Sequence, residues 1–383
     1  MNQKEHIACI QKRLDDARVV WFKNSGSFTL LEEPALDIFR LYLKGASLQD
    51  IIEYYKNNYF SENEKDIYCL ITRVIRNINR LNQANIQETP ELKSVMRRSH
   101  SSKEESTHHY AIDNKQITIH YSHTLVKDLI HPLFAHLETA NSREPQYTIH
   151  LIYFENQFVI RQEDETLEVF DSHESNYFKG SVLKLLYSIL YKKMNTSWMM
   201  TLHASGIITG DQAVLFMAGS GSGKSTLAAL LCAGGYRLLS DDFVAADENA
   251  RVYPFPAAIS VKNGAVDVLS RFYPELSTVP AKKNHKGLQT RFLPLQQTPA
   301  KIKQGYKIKA IVFLKYDQGE KLQYSWVSKK EAIQLLLKET WVNPLPNNVA
   351  RFLDWAAEVP FYKLTYNHTS PALKSIKKLL DES

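Results

Sequence analysis

The sequence predicts an α/β (α+β) domain preceded by a small winged-helix-like module. Three observations carry this. A glycine-rich run at 218–225 lies between an apolar strand and an apolar helix, an antiparallel hairpin leads into that strand, and near the N-terminus a β-hairpin is followed by three helices of regular apolar spacing. Between the two regions, residues 94–109 (Arg97, Arg98, Ser99, His100 and onward) have no apolar periodicity and mark a linker. The expected organisation is therefore a module at 1–93, the linker, and a larger domain at 110–383. Two domains are the natural count for 383 residues.

In chain order, Val19-Val20-Trp21-Phe22 and residues 27–31 form a hairpin about the turn Lys23-Asn24-Ser25-Gly26. Helices follow at about 33–44, from a Ser47 cap to about 57, and at about 62–81. Leu36, Phe39, Leu41, Leu43, Leu48, Ile51, Ile52, Tyr55, Ile67, Leu70, Ile71, Val74 and Ile78 keep helical spacing. Beyond the linker, strands are expected at 117–120, 147–154, 157–162 and 167–170, and a helix at about 177–194, the amino-terminal sheet of the larger domain. Later, a core strand at 308–314, a helix from a Ser328 cap through Glu339 and a short strand at 361–366 complete the pattern.

The chemistry concentrates at 202–244. Ala213-Val214-Leu215-Phe216-Met217 reads as a strand, and a helix runs from Lys224 until Gly234-Gly235 stops it. Between them Ala218-Gly219-Ser220-Gly221-Ser222-Gly223-Lys224-Ser225 matches the phosphate-binding loop apart from a small-for-small Ala218 at the first position. Glycines let consecutive N–H groups turn toward one anion, and the helix N-terminus adds partial positive charge. The cradle is expected to comprise Gly219, Ser220, Gly221, Ser222, Gly223, Lys224, Ser225 and Thr226. Lys224 would reach the β/γ-phosphates of a nucleoside triphosphate, ATP, and Ser225 would ligate Mg²⁺.

About 17 residues after Lys224, the strand ending in Leu238-Leu239-Ser240 delivers Asp241-Asp242. A strand directly after the helix is expected beside the phosphate-loop strand, its C-terminal end at the same sheet edge. One carboxylate could hold Mg²⁺ while the other faces an attacking hydroxyl, and their repulsion should raise the pKa of one. Upstream, residues 202–209 read as one strand, joined by a Gly210-Asp211 turn to the phosphate-loop strand, which brings His203 toward the acidic pair.

His203-Ala204-Ser205-Gly206, the loop at 219–225 and Leu238-Leu239-Ser240-Asp241-Asp242-Phe243-Val244 together resemble the HPr kinase family, in its HPr-kinase-related branch, whose fold is similar to the nucleotide domain of phosphoenolpyruvate carboxykinases. The resemblance covers roughly 108–383 and implies transfer of a γ-phosphoryl group to a serine hydroxyl. It implies Asp241 as catalytic base, Asp242 and Ser225 as Mg²⁺ ligands, Lys224 as phosphate clamp and His203 as the group that tunes Asp241. The chain lacks the Glu-Ile-Arg-Gly-type signature of bifunctional members; Pro256 to Gly264, containing Lys262, resembles the related branch instead. That leaves open both HPr as acceptor and a reverse phosphorylase activity.

Lys262 is a candidate for neutralising phosphoryl charge, the alternative being a solvated lysine at a strand end. The basic stretch 281–291 offers Lys286 and Arg291 as groups of a closing loop, or simply a solvated surface. Residues 1 to about 90 resemble the PqqD family by the order hairpin, Leu30-Leu31-x-x-x-Ala35, helix, Gly45-Ala46-Ser47 and two further helices. That resemblance implies recognition of the leader of a ribosomally made peptide, physically as a strand added to a free sheet edge. A dimerisation or packing role is the alternative.

Composition excludes little and bounds much. Hydrophobic residues at 44% and charged at 23% describe an ordinary globular chain, and a net charge of +6 is too small and too spread to argue for nucleic acid. Cys9, Cys69 and Cys232 lie far apart without metal spacing. With no signal-peptide pattern and no apolar run near ~20 residues, a cytoplasmic protein off the membrane is expected. The functional expectation is an ATP- and Mg²⁺-dependent serine kinase, possible as a homo-oligomer, acting on a peptide substrate held by its own front module. A kinase of a small hydroxylated molecule such as free serine, and a non-catalytic nucleotide-gated binding protein, are the rival readings.

Overall fold

The computed structural model describes residues 7–59, 63–83, 105–140, 145–163, 165–283, 289–295 and 305–381, a mixed α/β structure with several sheets and ten helices among those residues. It divides into two compact units, one of residues 1–88, 327–338 and 342–358, the other of 89–326, 339–341 and 359–383.

The first unit contains an antiparallel sheet in the order Cys9–Leu14, Ala17–Phe22, Phe28–Leu31 and the helices Ala35–Leu43, Leu48–Asn58 and Glu64–Asn82. The expected hairpin is present, with Trp21 opposite Phe28. Ser47 starts the second helix through a capping box with Asp50, which satisfies end groups the helix itself leaves open. Strand Cys9–Leu14 is absent from the sequence reading because Gln11, Lys12 and Arg13 dilute its apolar alternation.

One sheet face, with Val20 and Phe22, packs on Leu36, Phe39 and Ile78. Val19 and Trp21 point to the other face and are 1% exposed. Phe28, which shares that face by its register with Trp21, meets Phe352 with ring centroids 6.0 Å apart. The helices Lys329–Leu336 and Pro346–Glu358 therefore belong to this unit, and Lys330 pairs with Glu32 at 2.8 Å. A boundary drawn within 94–109 separates these helices from the sheet they complete.

Fully burying side chains such as Val or Phe contributes roughly 1.5–3 kcal/mol each. A 1–93 fragment exposes the Val19–Trp21 face and is expected to aggregate or to bind a hydrophobic dye. A sharp, dye-free melting transition in that fragment would contradict the packing described.

The second unit opens with a five-stranded sheet: Ser106–Ile112, Lys115–Tyr121, Tyr147–Phe154, Gln157–Gln162 and Glu165–Asp171, in sequence order. Strand Ser106–Ile112 occupies the end of the stretch read as linker; residues 94–104 lie outside the described ones. Helices Thr124–Phe134 and Ser175–Tyr191 cover the sheet around a core that includes Tyr110, Tyr121, Phe158, Phe178 and Tyr187.

A ten-stranded sheet carries Gln212–Met217, the strand before the glycine-rich loop, antiparallel to Ala204–Thr209 on one side and parallel to Tyr306–Tyr316 on the other. Its residues 213–217 are all buried, hence the continuous apolar run. Two expectations are corrected. Residues 202–209 are two strands, Trp198–Leu202 and Ala204–Thr209, because the His203 N–H is diverted to the Glu339 carbonyl at 2.8 Å. Strand Arg237–Ser240 pairs with Ala204–Thr209, one position away from Gln212–Met217. Being antiparallel to that intervening strand, it still runs parallel to Gln212–Met217 and ends at the same edge. Among the described residues no helix is long and apolar enough to cross a membrane.

Candidate functional site

At the end of Gln212–Met217 the chain turns into the helix Lys224–Ala233. Gly221 and Gly223 have φ of 92° and 90°, which L side chains rarely adopt. A Cβ on Gly223 would lie 2.0 Å from the Tyr366 hydroxyl, which donates to the Ser222 carbonyl at 3.1 Å. The loop therefore excludes a side chain where its backbone must turn. Its helix ends as expected: Gly235 takes φ 94° and the Tyr236 N–H returns to the Leu231 carbonyl at 3.2 Å. Gly219, Ser220 and Gly221 are exposed, while Ser222, Ser225 and Thr226 are half-buried.

Lys224 is only 7% exposed. Its ammonium donates to the Ala218 carbonyl and makes no ion pair among the described residues. Burial lowers its pKa, an effect countered by the charges of Asp242, Glu339 and Asp241. A desolvated cation under a glycine cradle is a site for an anion.

The two aspartates diverge. Asp241 is 4% exposed and accepts from the Ser205 hydroxyl, from the Ser225 hydroxyl at 3.0 Å and from the Ser260 N–H at 3.1 Å. Burial, then the neighbouring charge of Asp242, raises its carboxyl pKa. Asp242, at φ 67°, turns its side chain elsewhere: Lys179 Nζ lies 2.8 Å from one oxygen and His203 Nε2 2.9 Å from the other. The Lys179 ammonium is the main reason its carboxyl is held well below the usual range. On its far side His203 presents Nδ1 to Glu339 at 3.1 Å, so Glu339, His203 and Asp242 form one chain.

The expected asymmetry of the acidic pair is present, but the contacts cross the roles that the resemblance implies. Ser225 meets Asp241 rather than Asp242, and His203 meets Asp242 rather than Asp241. Lys262, at the end of strand Ile259–Lys262, donates to the Ser220 hydroxyl and so joins the loop. Arg291 lies opposite Val261 in the next strand and therefore shares Val261's face, not that of Lys262. Its guanidinium is held by the Val279 carbonyl at 3.1 Å and Asn263 at 3.0 Å. Lys286 lies outside the described residues.

Lys179, Glu339, Ser205, Ser260 and Tyr366 escaped the sequence reading. Only Ser205 carried a local signal, two positions after His203 and so near the same edge. A separate groove of about 680 Å³ lies in the first unit, floored by Leu48, Ile51 and Ile75 with Arg76 and Arg80 on its lining. It belongs to that unit alone and contains none of the glycine-loop residues.

No protein-family model matches the chain, and no curated protein matches it. Among solved structures the Hpr(Ser) kinase/phosphatase from Coxiella burnetii is a weak structural neighbour, 13% identical, covering 47% of this chain and 93% of that one with a TM-score of 0.22.

Proposed function

We propose that this chain is an ATP- and Mg²⁺-dependent kinase that phosphorylates a serine hydroxyl on a peptide, in the tailoring of a ribosomally made peptide natural product. The observation that carries the reading is the buried Lys224, without an ion pair among the described residues, at the foot of a glycine loop whose Ser225 is bonded to a buried carboxylate. The residues fit the nucleotide: Gly223 leaves no room for a side chain, and Gly219, Ser220 and Gly221 are open to solvent. Mg²⁺–ATP, when bound, supplies the phosphoryl group and the divalent charge that offsets it.

In this reading Lys224 and the loop N–H groups hold the phosphates. Ser225 and Asp241 would together hold the metal, whose charge would offset the burial and the Asp242 repulsion that raise the Asp241 pKa. Asp242 orients the acceptor hydroxyl and takes its proton at a carboxylate oxygen, while Glu339 and His203 fix its direction. Lys179 keeps it ionised. Because phosphoryl transfer is catalysed chiefly by positioning, a weakly basic but well-placed carboxylate suffices. Lys262, bonded to Ser220, adds positive charge at the loop.

The front unit supports the peptide assignment through its sheet edge. Phe28–Leu31 ends the strand order, and the Phe22 N–H bond to the Ser27 carbonyl at 2.9 Å sets the phase of the ladder. By alternation, Thr29 bonds inward to Val20 while the Phe28 and Leu30 amides face the outer edge, beside which no strand lies among the described residues. A leader added there raises the local acceptor concentration toward the mM range for a suitable linker. Leu30→Pro removes an edge donor without breaking the hairpin, and is expected to raise KM for a full-length precursor about tenfold or more while ATP hydrolysis without peptide is unchanged. An unchanged KM would assign the front unit a structural role and favour a small-molecule acceptor.

A further inference from the structure

We propose a transition-metal site, of the zinc class, built from His108, His131 and Glu138. One ligand atom from each of these residues lies within 4.8 Å of the other two. They come from three segments of the second unit: the strand Ser106–Ile112, the helix Thr124–Phe134 and the turn after it, which bridges back to the strand through Tyr110 and Glu138. Two imidazoles and a carboxylate are the donor set that zinc and its first-row neighbours favour over Mg²⁺ or Ca²⁺.

The surroundings are those of a built site. His108 Nδ1 is 2.6 Å from Glu138, and His131 Nδ1 is 2.8 Å from the Tyr110 hydroxyl, which is in turn 3.0 Å from that of Tyr121. Both phenols are fully buried, so this support is rigid. Among the described residues His108 Nε2 is buried without a hydrogen-bond partner, so the cluster holds a polar atom that the protein around it does not satisfy. The two rings lie with centroids 4.4 Å apart. Glu138 is exposed and provides the entry side. Three protein ligands leave one position for water or a further ligand. The neighbouring Lys282 is neutralised by Asp128 at 2.8 Å.

The test uses the full chain, stripped with a chelator and titrated with Zn²⁺ by calorimetry, with bound zinc counted by elemental analysis after gel filtration. The expected result is one Zn²⁺ per chain and a raised melting temperature. His108→Gln and Glu138→Gln should each weaken that binding at least about tenfold, and His203→Asn, at the phosphate-loop site, should leave it intact. Glu138 is exposed, so Glu138→Gln keeps the test valid if His108→Gln fails to fold. Wild-type protein that retains no zinc overturns the proposal, as does undiminished binding in Glu138→Gln or loss of binding in His203→Asn alone.

Discussion

Lys224→Ala is expected to lower phosphoryl transfer on the order of 10²–10³-fold and to abolish measurable ATP affinity, while the folded state survives. The substitution removes a cation that is costly to bury, so the protein without nucleotide should be no less stable. Its only described polar contact is with the Ala218 carbonyl, which the loop can present to water. ATP affinity by calorimetry and melting by circular dichroism separate the two effects. Wild-type affinity in the variant would remove the basis for a phosphate site here.

The second large effect divides the acidic pair. Asp242→Asn is expected to lower kcat by about 10²–10⁴-fold with the Mg²⁺ titration unmoved, because Asp242 faces His203 and Lys179 and not Ser225. Asp241→Asn should instead shift the Mg²⁺ midpoint upward, since its carboxylate shares one oxygen between Ser205 and Ser225. Lys179→Met adds a check with a sign. Removing the ammonium that depresses the Asp242 pKa lets that pKa rise, so the acid limb of kcat/KM, set by loss of the ionised carboxylate, should move to higher pH. Identical Mg²⁺ titrations for the two asparagine variants, or an acid limb that stays in place, would contradict the assignment.

The parts of this site that were legible in the sequence are those encoded over short spans. The strand, the glycines and the helix at 212–235 declare themselves because each residue's role is set by its immediate neighbours, and the Gly210-Asp211 turn fixes the hairpin for the same reason. Residue spacing puts the acidic pair at the correct edge, but its strand pairs with Ala204–Thr209, a choice that spacing does not encode. Lys179 and Glu339 reach Asp242 and His203 from a helix and a loop far along the chain, and an isolated lysine or glutamate carries no signal of its destination. The helix Pro346–Glu358 is similar: nothing local in it specifies the sheet that carries Phe28.

The most direct test of the central claim is a single-turnover reaction with γ-labelled ATP, Mg²⁺ and a serine-containing acceptor peptide, read by where the label goes. The account predicts label on the serine hydroxyl in amounts matching the ADP formed, with neither product in Lys224→Ala. ADP accompanied only by free phosphate, or ATP bound and left intact, would contradict it.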